Sequence, residues 1–168
     1  MLKSIFDDSG DAVLDGIDFD IEKGSTHYYG VLAKTLNELG TSYGRKVHLS
    51  AAPQCPYPDT RLDRALHTNI FDYVWIQFYN NRCEFNAQNP EEFKKAWTKW
   101  TSNISATKFF DGLPASHTAA TSGFVHSRTL VSHVLPFVKS TRNFGGVMLW
   151  DRFHDIQSGY SRRIKHML

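Results

Sequence analysis

Long apolar runs, clustered positive charge and cysteine are all scarce in this 168-residue sequence. No apolar stretch approaches the ~20 residues of a membrane-spanning helix, so we expect no membrane partner. No basic run is longer than a pair such as Arg162–Arg163, and the formal net charge is +2. A nucleic-acid partner, which needs a concentrated basic face, is therefore not expected. Two cysteines, Cys55 and Cys83, are too few for a metal site of three or four ligands. The first eight residues lack the apolar core of a secretion signal.

The composition and the hydrophobic pattern predict a globular chain in which strand-forming and helix-forming segments alternate. Hydrophobic residues make up 41% of the sequence, which suits one packed domain at this length. Short apolar runs, typical of strands buried in a parallel sheet, predict strands over residues 13–19, 46–51, 73–79, 108–113 and 146–150. Helical patterns predict helices over residues 25–39, 62–67, 89–100, 127–139 and 161–168. Pro136 is expected to end or kink the fourth of these helices.

Five strand–helix units in series predict an α/β fold with a parallel sheet and helical crossovers. Two architectures remain open, an open doubly wound sheet and part of a (β/α)8 barrel. A complete barrel takes about 250 residues, or about 31 per unit, and this chain has about 34 per unit. As a barrel it would be about five-eighths of one. No glycine-rich phosphate loop follows any predicted strand, which weakens the case for a nucleotide-binding open sheet.

Three carboxylates alternate with apolar residues at the end of the first predicted strand. Because side chains alternate between the faces of a strand, Asp18, Asp20 and Glu22 share one face, and the apolar residues between them share the other. Crowded like charges raise the pKa of at least one member, and a carboxyl with a raised pKa is suited to general acid catalysis near neutral pH. Glu22 comes last, nearest the end of the sheet where parallel barrels carry their active sites.

Two other interpretations of these carboxylates remain. One is a polar strand end that is acidic by chance. The other is a divalent-metal site, since hard cations favour carboxylate ligands. No further acidic cluster in the sequence converges with this one, so we predict no metal ion.

The segment at residues 15–22, DGIDFDIE, matches the DGxDxDxE signature of family-18 glycoside hydrolases. Four further segments resemble plant class III chitinases (hevamine-like chitinase/lysozymes) in order and spacing. They are AAPQCP at residues 51–56, WIQFYNN at 75–81, GLPA at 112–115 and FGGVMLW at 144–150. The resemblance extends from about residue 10 to residue 168. It implies a TIM barrel and an endo-chitinase that hydrolyses β-1,4 links between N-acetylglucosamine units of chitin.

The resemblance also implies a mechanism, in which the substrate's own N-acetyl oxygen is the nucleophile and no metal or organic cofactor is needed. Glu22 would be the general acid and then the base for water. Asp20 would bind the acetamido N–H and stabilise the cation that forms. Asp18 would support Asp20 from behind and share a proton with it. Tyr79 would donate its hydroxyl to the acetamido oxygen.

Three substrate-binding residues and one covalent bond follow from the same resemblance. Gln77, which has the strand parity of Tyr79, would line the same subsite. Trp150 would form the floor of the sugar site, and Ala119 would lie in a loop along the cleft. Cys55 and Cys83 match positions that are paired in the family. The resemblance implies an extracellular protein whose partners are chitin or N-acetylglucosamine oligosaccharides.

The chain departs from the family in where its signature falls. The signature normally lies on strand four of eight, but here it begins near residue 15. We therefore expect residues 1–168 to be a single partial catalytic domain, corresponding to strands 4 to 8 and lacking the first three βα units. Exposed sheet edges would permit oligomerisation, whereas a full-length protein would be a monomer. Two alternatives stay open: a non-catalytic chitinase-like lectin or inhibitor, and an inactive fragment.

Overall fold

A single sheet of five parallel strands forms the centre of the fold. The computed structural model describes residues 14–168. The strands are β1 (Gly16–Phe19), β2 (His48–Ala51), β3 (Tyr73–Gln77), β4 (Lys108–Pro114) and β5 (Phe144–Trp150). They lie in the order β1-β2-β3-β4-β5, and each pairs in parallel with the next. This unreversed order is that of a barrel, because a doubly wound sheet reverses its strand order at a switch point. The predicted partial barrel is confirmed.

Helices connect the strands and follow the last of them. They are α1 (Tyr29–Ser42), α2 (Asp63–Leu66), α3 (Glu91–Asn103), α4 (Ser127–Thr129), α5 (Leu135–Val138), α6 (Arg152–Ser158) and α7 (Tyr160–Ile164). A π-helical segment, Leu130–Val134, joins α4 to α5, and a 3-10 turn, Lys165–Met167, follows α7. No helix within residues 14–168 is both long enough and apolar enough to cross a membrane.

The observed elements differ from the predicted ones mainly at their ends. Helix α1 begins four residues late, because the Ser25 hydroxyl accepts a hydrogen bond from the amide of His27 in the preceding turn and does not cap the helix. The predicted interruption at Pro136 takes the form of the π-helical segment, after which the proline occupies the first turn of α5, where its missing N–H is tolerated. Helix α6 was not predicted. Asp151 caps it, and Gly159 ends it in a left-handed conformation.

The hydrophobic core lies between the sheet and the helices. Helix α3 buries Phe93, Ala96, Trp97 and Trp100, the spacing of one helical face. They pack with alternate residues of the strands, such as Val74 and Ile76 of β3, which are fully buried. The other face of β3 carries Tyr73, Trp75 and Gln77, so one strand separates the core from the polar side chains described next.

Strand β1 is shorter than predicted. It begins at Gly16, and Val13, where the prediction placed its start, lies outside the described residues. Within residues 14–168, β1 pairs only with β2 and β5 pairs only with β4. Phe19, the last residue of β1, is buried against Phe71 with the two ring centroids 5.3 Å apart. This contact lies where the carboxylate segment leaves the sheet.

Candidate active site

The three carboxylates predicted to share one face of a strand lie partly beyond its end. Strand β1 stops at Phe19, so Asp18 is within the strand and Asp20 and Glu22 follow it. The side chains nevertheless lie on one side of the sheet, since all three contact residues of β2, β3 or the loop after β2. All three are exposed and are not enclosed by the sheet. The carboxylates therefore meet solvent at the carboxyl end of the parallel strands.

Gln77 connects two of these carboxylates. It ends β3 and is 3% exposed. Its side-chain nitrogen Nε2 lies 3.3 Å from Asp20 Oδ1 and 3.3 Å from Glu22 Oε1, and it donates to the carbonyl oxygen of Ala52 at 2.8 Å. Gln77 thus lies beside Asp20 and Glu22, and its role in substrate binding stays a prediction.

Asp18 has different partners. Its Oδ1 atom accepts hydrogen bonds from the Ser50 hydroxyl and, at 2.8 Å, from the indole nitrogen of Trp75. These bonds hold the carboxylate over β2 and β3, behind Asp20 as seen from the end of the sheet. The sharing of a proton between Asp18 and Asp20 stays a prediction.

The electrostatics of the group affect Asp20 and Tyr79. Partial desolvation, together with the negative charges of Glu22 and Asp18, raises the pKa of Asp20, and the hydrogen bond from Gln77 opposes that rise. Crowding of the carboxylates thus contributes as predicted, although desolvation is the larger cause. Burial and the charges of Asp20 and Glu22 also raise the pKa of Tyr79. Tyr79 follows β3 by two residues and is 6% exposed, so its hydroxyl stays protonated and available as a donor.

An open cavity of about 390 Å³ brings the site residues together. Its lining combines carboxylates, amides and two aromatic rings, from Asp20, Glu22, Gln54, Gln77, Tyr79, Asn80 and Trp150. Trp150 ends β5 and is 44% exposed, so its ring is open to a ligand. A second opening continues past Trp150 along Ile21 and Lys23. Polar groups around an exposed aromatic face suit a sugar, whose ring has polar edges and an apolar face.

Two predicted features lie outside this cavity. Ala119 is in the loop after β4, where its amide donates to the carbonyl oxygen of Ser116, and it does not contribute to the cavity lining. Its role in substrate binding stays a prediction. Cys55 and Cys83 form a disulfide bond with their Cα atoms 6.0 Å apart. The bond joins the loop after β2 to the loop after β3.

Sequence reasoning gave no role to three amides at the site, Gln54, Asn80 and Asn81. Gln54 Nε2 donates to Glu22 Oε1, and Asn81 donates to Gln54. Asn80 Oδ1 accepts from the amides of Thr121 and Ser122, which ties the loop after β3 to the loop after β4. Only their positions in the sequence indicate these amides, because Gln54 precedes Cys55 and the two asparagines follow Tyr79. Among residues 14–168, no three His, Cys, Asp or Glu side chains are grouped to hold a metal ion.

The chain is similar in sequence to proteins named as endochitinases. Residues 2–129 match Glycosyl hydrolases family 18. A basic endochitinase of Nicotiana tabacum is 55% identical over 164 residues, which cover 97% of this chain and 54% of the tobacco protein. The chain spans about half the length of the curated relatives it matches.

Solved structures are similar to the chain as well. The chitinase ICChI of Ipomoea carnea superposes with a TM-score of 0.90 at 46% identity, over 95% of this chain and 58% of that one. The xylanase and alpha-amylase inhibitor protein XAIP-II of Scadoxus multiflorus superposes with a TM-score of 0.89 at 40% identity, over 94% of this chain and 57% of that one. The family match covers most of the chain, and the sheet order and the carboxylate segment agree with it. The chain belongs to glycosyl hydrolase family 18.

Proposed function

We propose that the protein is an endo-chitinase that hydrolyses β-1,4 links between N-acetylglucosamine units with retention of configuration. The observation that carries this proposal is the convergence of Asp20, Glu22 and Tyr79 on one cavity beside the exposed ring of Trp150. Since the chain spans about half the length of its relatives, this activity is proposed for the protein of which these five βα units form part. We also propose that these units are a partial catalytic domain of that protein.

Glu22 is proposed as the general acid and base. Its exposed side chain lines the cavity, where it can reach the oxygen of a glycosidic bond. It donates a proton to the leaving oxygen as the bond breaks, and its carboxylate then takes a proton from the attacking water. The hydrogen bonds from Gln54 and Gln77 to Oε1 leave Oε2 to face the substrate.

Asp20 and Tyr79 are proposed to hold the acetamido group of the sugar. The carboxylate of Asp20 accepts from the acetamido N–H and stabilises the positive charge that develops as the acetamido oxygen attacks the anomeric carbon. The Tyr79 hydroxyl donates to that acetamido oxygen. Its raised pKa supports this role, because a phenol that stays protonated remains a donor throughout the working pH range. Asp18, anchored by Ser50 and Trp75, adds negative charge behind Asp20.

The substrate and the location follow from the same groups. Trp150 offers an exposed face on which a pyranose ring can stack, and Gln77 lines the same subsite. The proposed chemistry needs no cofactor, since the acid, the orienting carboxylate and the nucleophile are all supplied by side chains and substrate. The Cys55–Cys83 disulfide supports an extracellular location, because disulfides persist in oxidising compartments.

A second candidate function is sugar binding or enzyme inhibition without catalysis. The similarity to the Scadoxus multiflorus protein favours this candidate, because that protein has a similar fold and is named as an inhibitor of xylanase and alpha-amylase. Chitotetraose that binds the purified protein of which these units form part, without being cleaved, would support this candidate and contradict the enzyme.

The proposed mechanism is tested by the products and by the substrate. Chitotetraose is incubated with the purified protein of which these units form part, and the new reducing ends are followed by proton NMR before they mutarotate. We expect the β-anomer first, and no cleavage of the de-N-acetylated tetrasaccharide, which lacks the nucleophile. Early α-anomer, or equal cleavage of the two substrates, would contradict substrate-assisted retention.

A further inference from the structure

A chain of side-chain amides leads from the loop after β3 to Glu22. Gln54 Nε2 donates to Glu22 Oε1 at 3.1 Å and to Gln77 Oε1 at 3.0 Å. The other end of the same amide, Gln54 Oε1, accepts from Asn81 Nδ2. Gln54 and Asn81 are both half-buried, and only Gln54 touches the carboxylate. The hydrogen-bond path from Asn81 to Glu22 therefore runs through Gln54.

The backbone fixes which way round these amides lie. Asn81 Nδ2 also donates to the carbonyl oxygen of Tyr79 at 2.9 Å, and a backbone carbonyl can only accept. The NH2 group of Asn81 is therefore at that position, facing Gln54 Oε1. This contact in turn requires Gln54 to turn its own NH2 group toward Glu22 and Gln77. Gln77 is oriented in the same way, because its Oε1 accepts from Gln54 and its NH2 faces the carboxylates.

The loop that carries Gln54 is rigidly held. The backbone amide of Gln54 donates to Asp59 Oδ2 at 2.9 Å. The carbonyl oxygen of the adjacent Pro53 accepts from the backbone amide of Gln77, also at 2.9 Å. Cys55, the next residue, donates its amide to the carbonyl oxygen of Gln77 and is joined by the disulfide to Cys83. Gln54 and Asn81 thus approach each other from two loops whose separation is set by covalent and backbone bonds.

Glu22 itself has little else to hold it. Its side chain is exposed and follows the end of β1. The two hydrogens of Gln77 Nε2 are shared among three acceptors, and the shortest contact is to Ala52 rather than to Glu22. An exposed glutamate that is held by one shared contact would sample several rotamers, whereas acid catalysis needs one geometry.

We propose that Asn81 and Gln54 form a positioning relay, in which Asn81 sets the orientation of the Gln54 amide and Gln54 holds the Glu22 carboxyl group for proton transfer. The inference rests on the proposed function for its consequence in catalysis. The contacts themselves are independent of it. The relay places the determinant of acid geometry two residues beyond Tyr79, outside the groups that touch the sugar.

A double-variant cycle tests the relay. Gln54→Leu removes the donor at nearly constant volume, and Asn81→Asp replaces a donor by an acceptor, so that the Gln54 amide must turn its carbonyl toward Glu22. We expect each variant to lower kcat by about 10- to 100-fold, with KM for chitotetraose within about threefold of the starting value. In the Gln54→Leu background, Asn81→Asp should lower kcat by less than about threefold, since its route to Glu22 is gone.

Matched controls separate the relay from general effects of substitution. Gln88→Leu and Asn86→Asp make the same chemical changes at exposed positions of the loop before α3, and we expect wild-type kcat from both. An equal loss from Asn81→Asp with and without Gln54 would show that its charge acts directly, and would overturn the relay. A higher KM with an unchanged kcat would also overturn the relay, because positioning of the acid acts on kcat.

Side-chain amide NMR provides a readout that needs no activity. The Gln54 NH2 signals are assigned by their absence in Gln54→Leu. We expect them to move in Asn81→Asp and in Glu22→Gln, an exposed substitution, and to stay in place in Asn86→Asp. Unmoved signals in both test variants would overturn the relay whatever the hydrolysis result. If the signals move in both variants but the wild-type protein of which these units form part does not hydrolyse chitotetraose, the proposed function is contradicted and the contacts of the relay stand.

Discussion

Gln77 Nε2 lies 3.3 Å from both Asp20 Oδ1 and Glu22 Oε1. One buried amide at the end of β3 therefore holds two carboxylates that follow β1, although Gln77 is 55 or more residues from each of them in sequence. Donation to a carboxylate stabilises its ionised form, and this bond is the one influence that lowers the pKa of Asp20 against three that raise it.

Replacing Gln77 by Leu should raise the pKa of Asp20 further. The substitution removes the donor and leaves the desolvation and the charges of Glu22 and Asp18 in place. The pKa is measured by carbon NMR titration of the Asp20 carboxyl signal, with Gln88→Leu as the exposed control. A pKa of Asp20 that is unchanged or lower in Gln77→Leu would show that the hydrogen bond has no electrostatic effect.

The buried carboxyl group of Asp111 should make stability fall as pH rises. Asp111 is fully buried on β4, neither of its oxygens has a hydrogen-bond partner, and burial raises its pKa to about 7. Its pKa in the unfolded chain is the ordinary 3.8. Folding therefore favours the protonated form, so the contribution of Asp111 is most favourable below pH 3.8 and is lost as pH rises through about 7. Asp111→Asn keeps the shape and removes the titration.

Urea unfolding of wild type and Asp111→Asn at pH 5 and pH 8 measures this effect. Between pH 5 and pH 8 we expect the free energy of unfolding of wild type to fall relative to that of Asp111→Asn, by an amount on the order of 2 kcal/mol. Glu38→Gln, at an exposed position of α1, should show no such shift. A difference that stays constant between the two pH values would mean that Asp111 does not titrate in this range.

Loss of the Cys55–Cys83 disulfide should destabilise the chain by about 3 kcal/mol, because the bond closes a loop of moderate length in the unfolded state. The free energy of unfolding in urea is compared for wild type and for the double variant Cys55→Ala/Cys83→Ala. Dithiothreitol should lower the stability of wild type and have no effect on the variant. Equal stability of the two proteins without reductant would contradict a structural role for the bond.

Trp150→Ala should weaken the binding of chitotetraose by about 3- to 10-fold, because it removes the aromatic face of the cavity. Titration calorimetry measures the affinity. Phe153→Ala is the matched control, since this ring is 63% exposed close by and does not contribute to the cavity lining. Comparable losses from both variants would show that Trp150 has no special contact with the sugar.

The sequence predicts those parts of the site that depend on local periodicity and on motif. Asp18, Asp20 and Glu22 are two residues apart, so an extended backbone alone brings them to one side, even though β1 ends before Asp20. Gln77 and Trp150 lie at strand ends, and parallel strands bring their carboxyl ends to one edge. The order of the five strands follows for the same reason, because short helical crossovers place consecutive strands side by side.

The rest depends on contacts that local pattern does not encode. Gln54 and Asn81 meet because a disulfide and a bridge between Gln54 and Gln77 set the separation of two loops. Nothing in the residues near either amide specifies that distance. Asp111 has the strand parity of the buried Phe109 and Leu113, so alternation places it in the core, and polarity alone would place it outside. Helix α6 depends on one capping carboxylate, Asp151, in a segment too short for a clear helical period.

The role of Glu22 as the acid is tested most directly by the rate of chitotetraose hydrolysis by the Glu22→Gln variant. The substitution keeps the shape of the side chain and removes the proton that is transferred. Glu92→Gln, on the exposed first turn of α3, makes the same change away from the cavity. We predict that Glu22→Gln lowers kcat by at least about 100-fold while chitotetraose still binds, and that Glu92→Gln keeps wild-type kcat. Turnover by Glu22→Gln at the wild-type rate would contradict the assignment of Glu22 as the acid and, with it, the proposed mechanism.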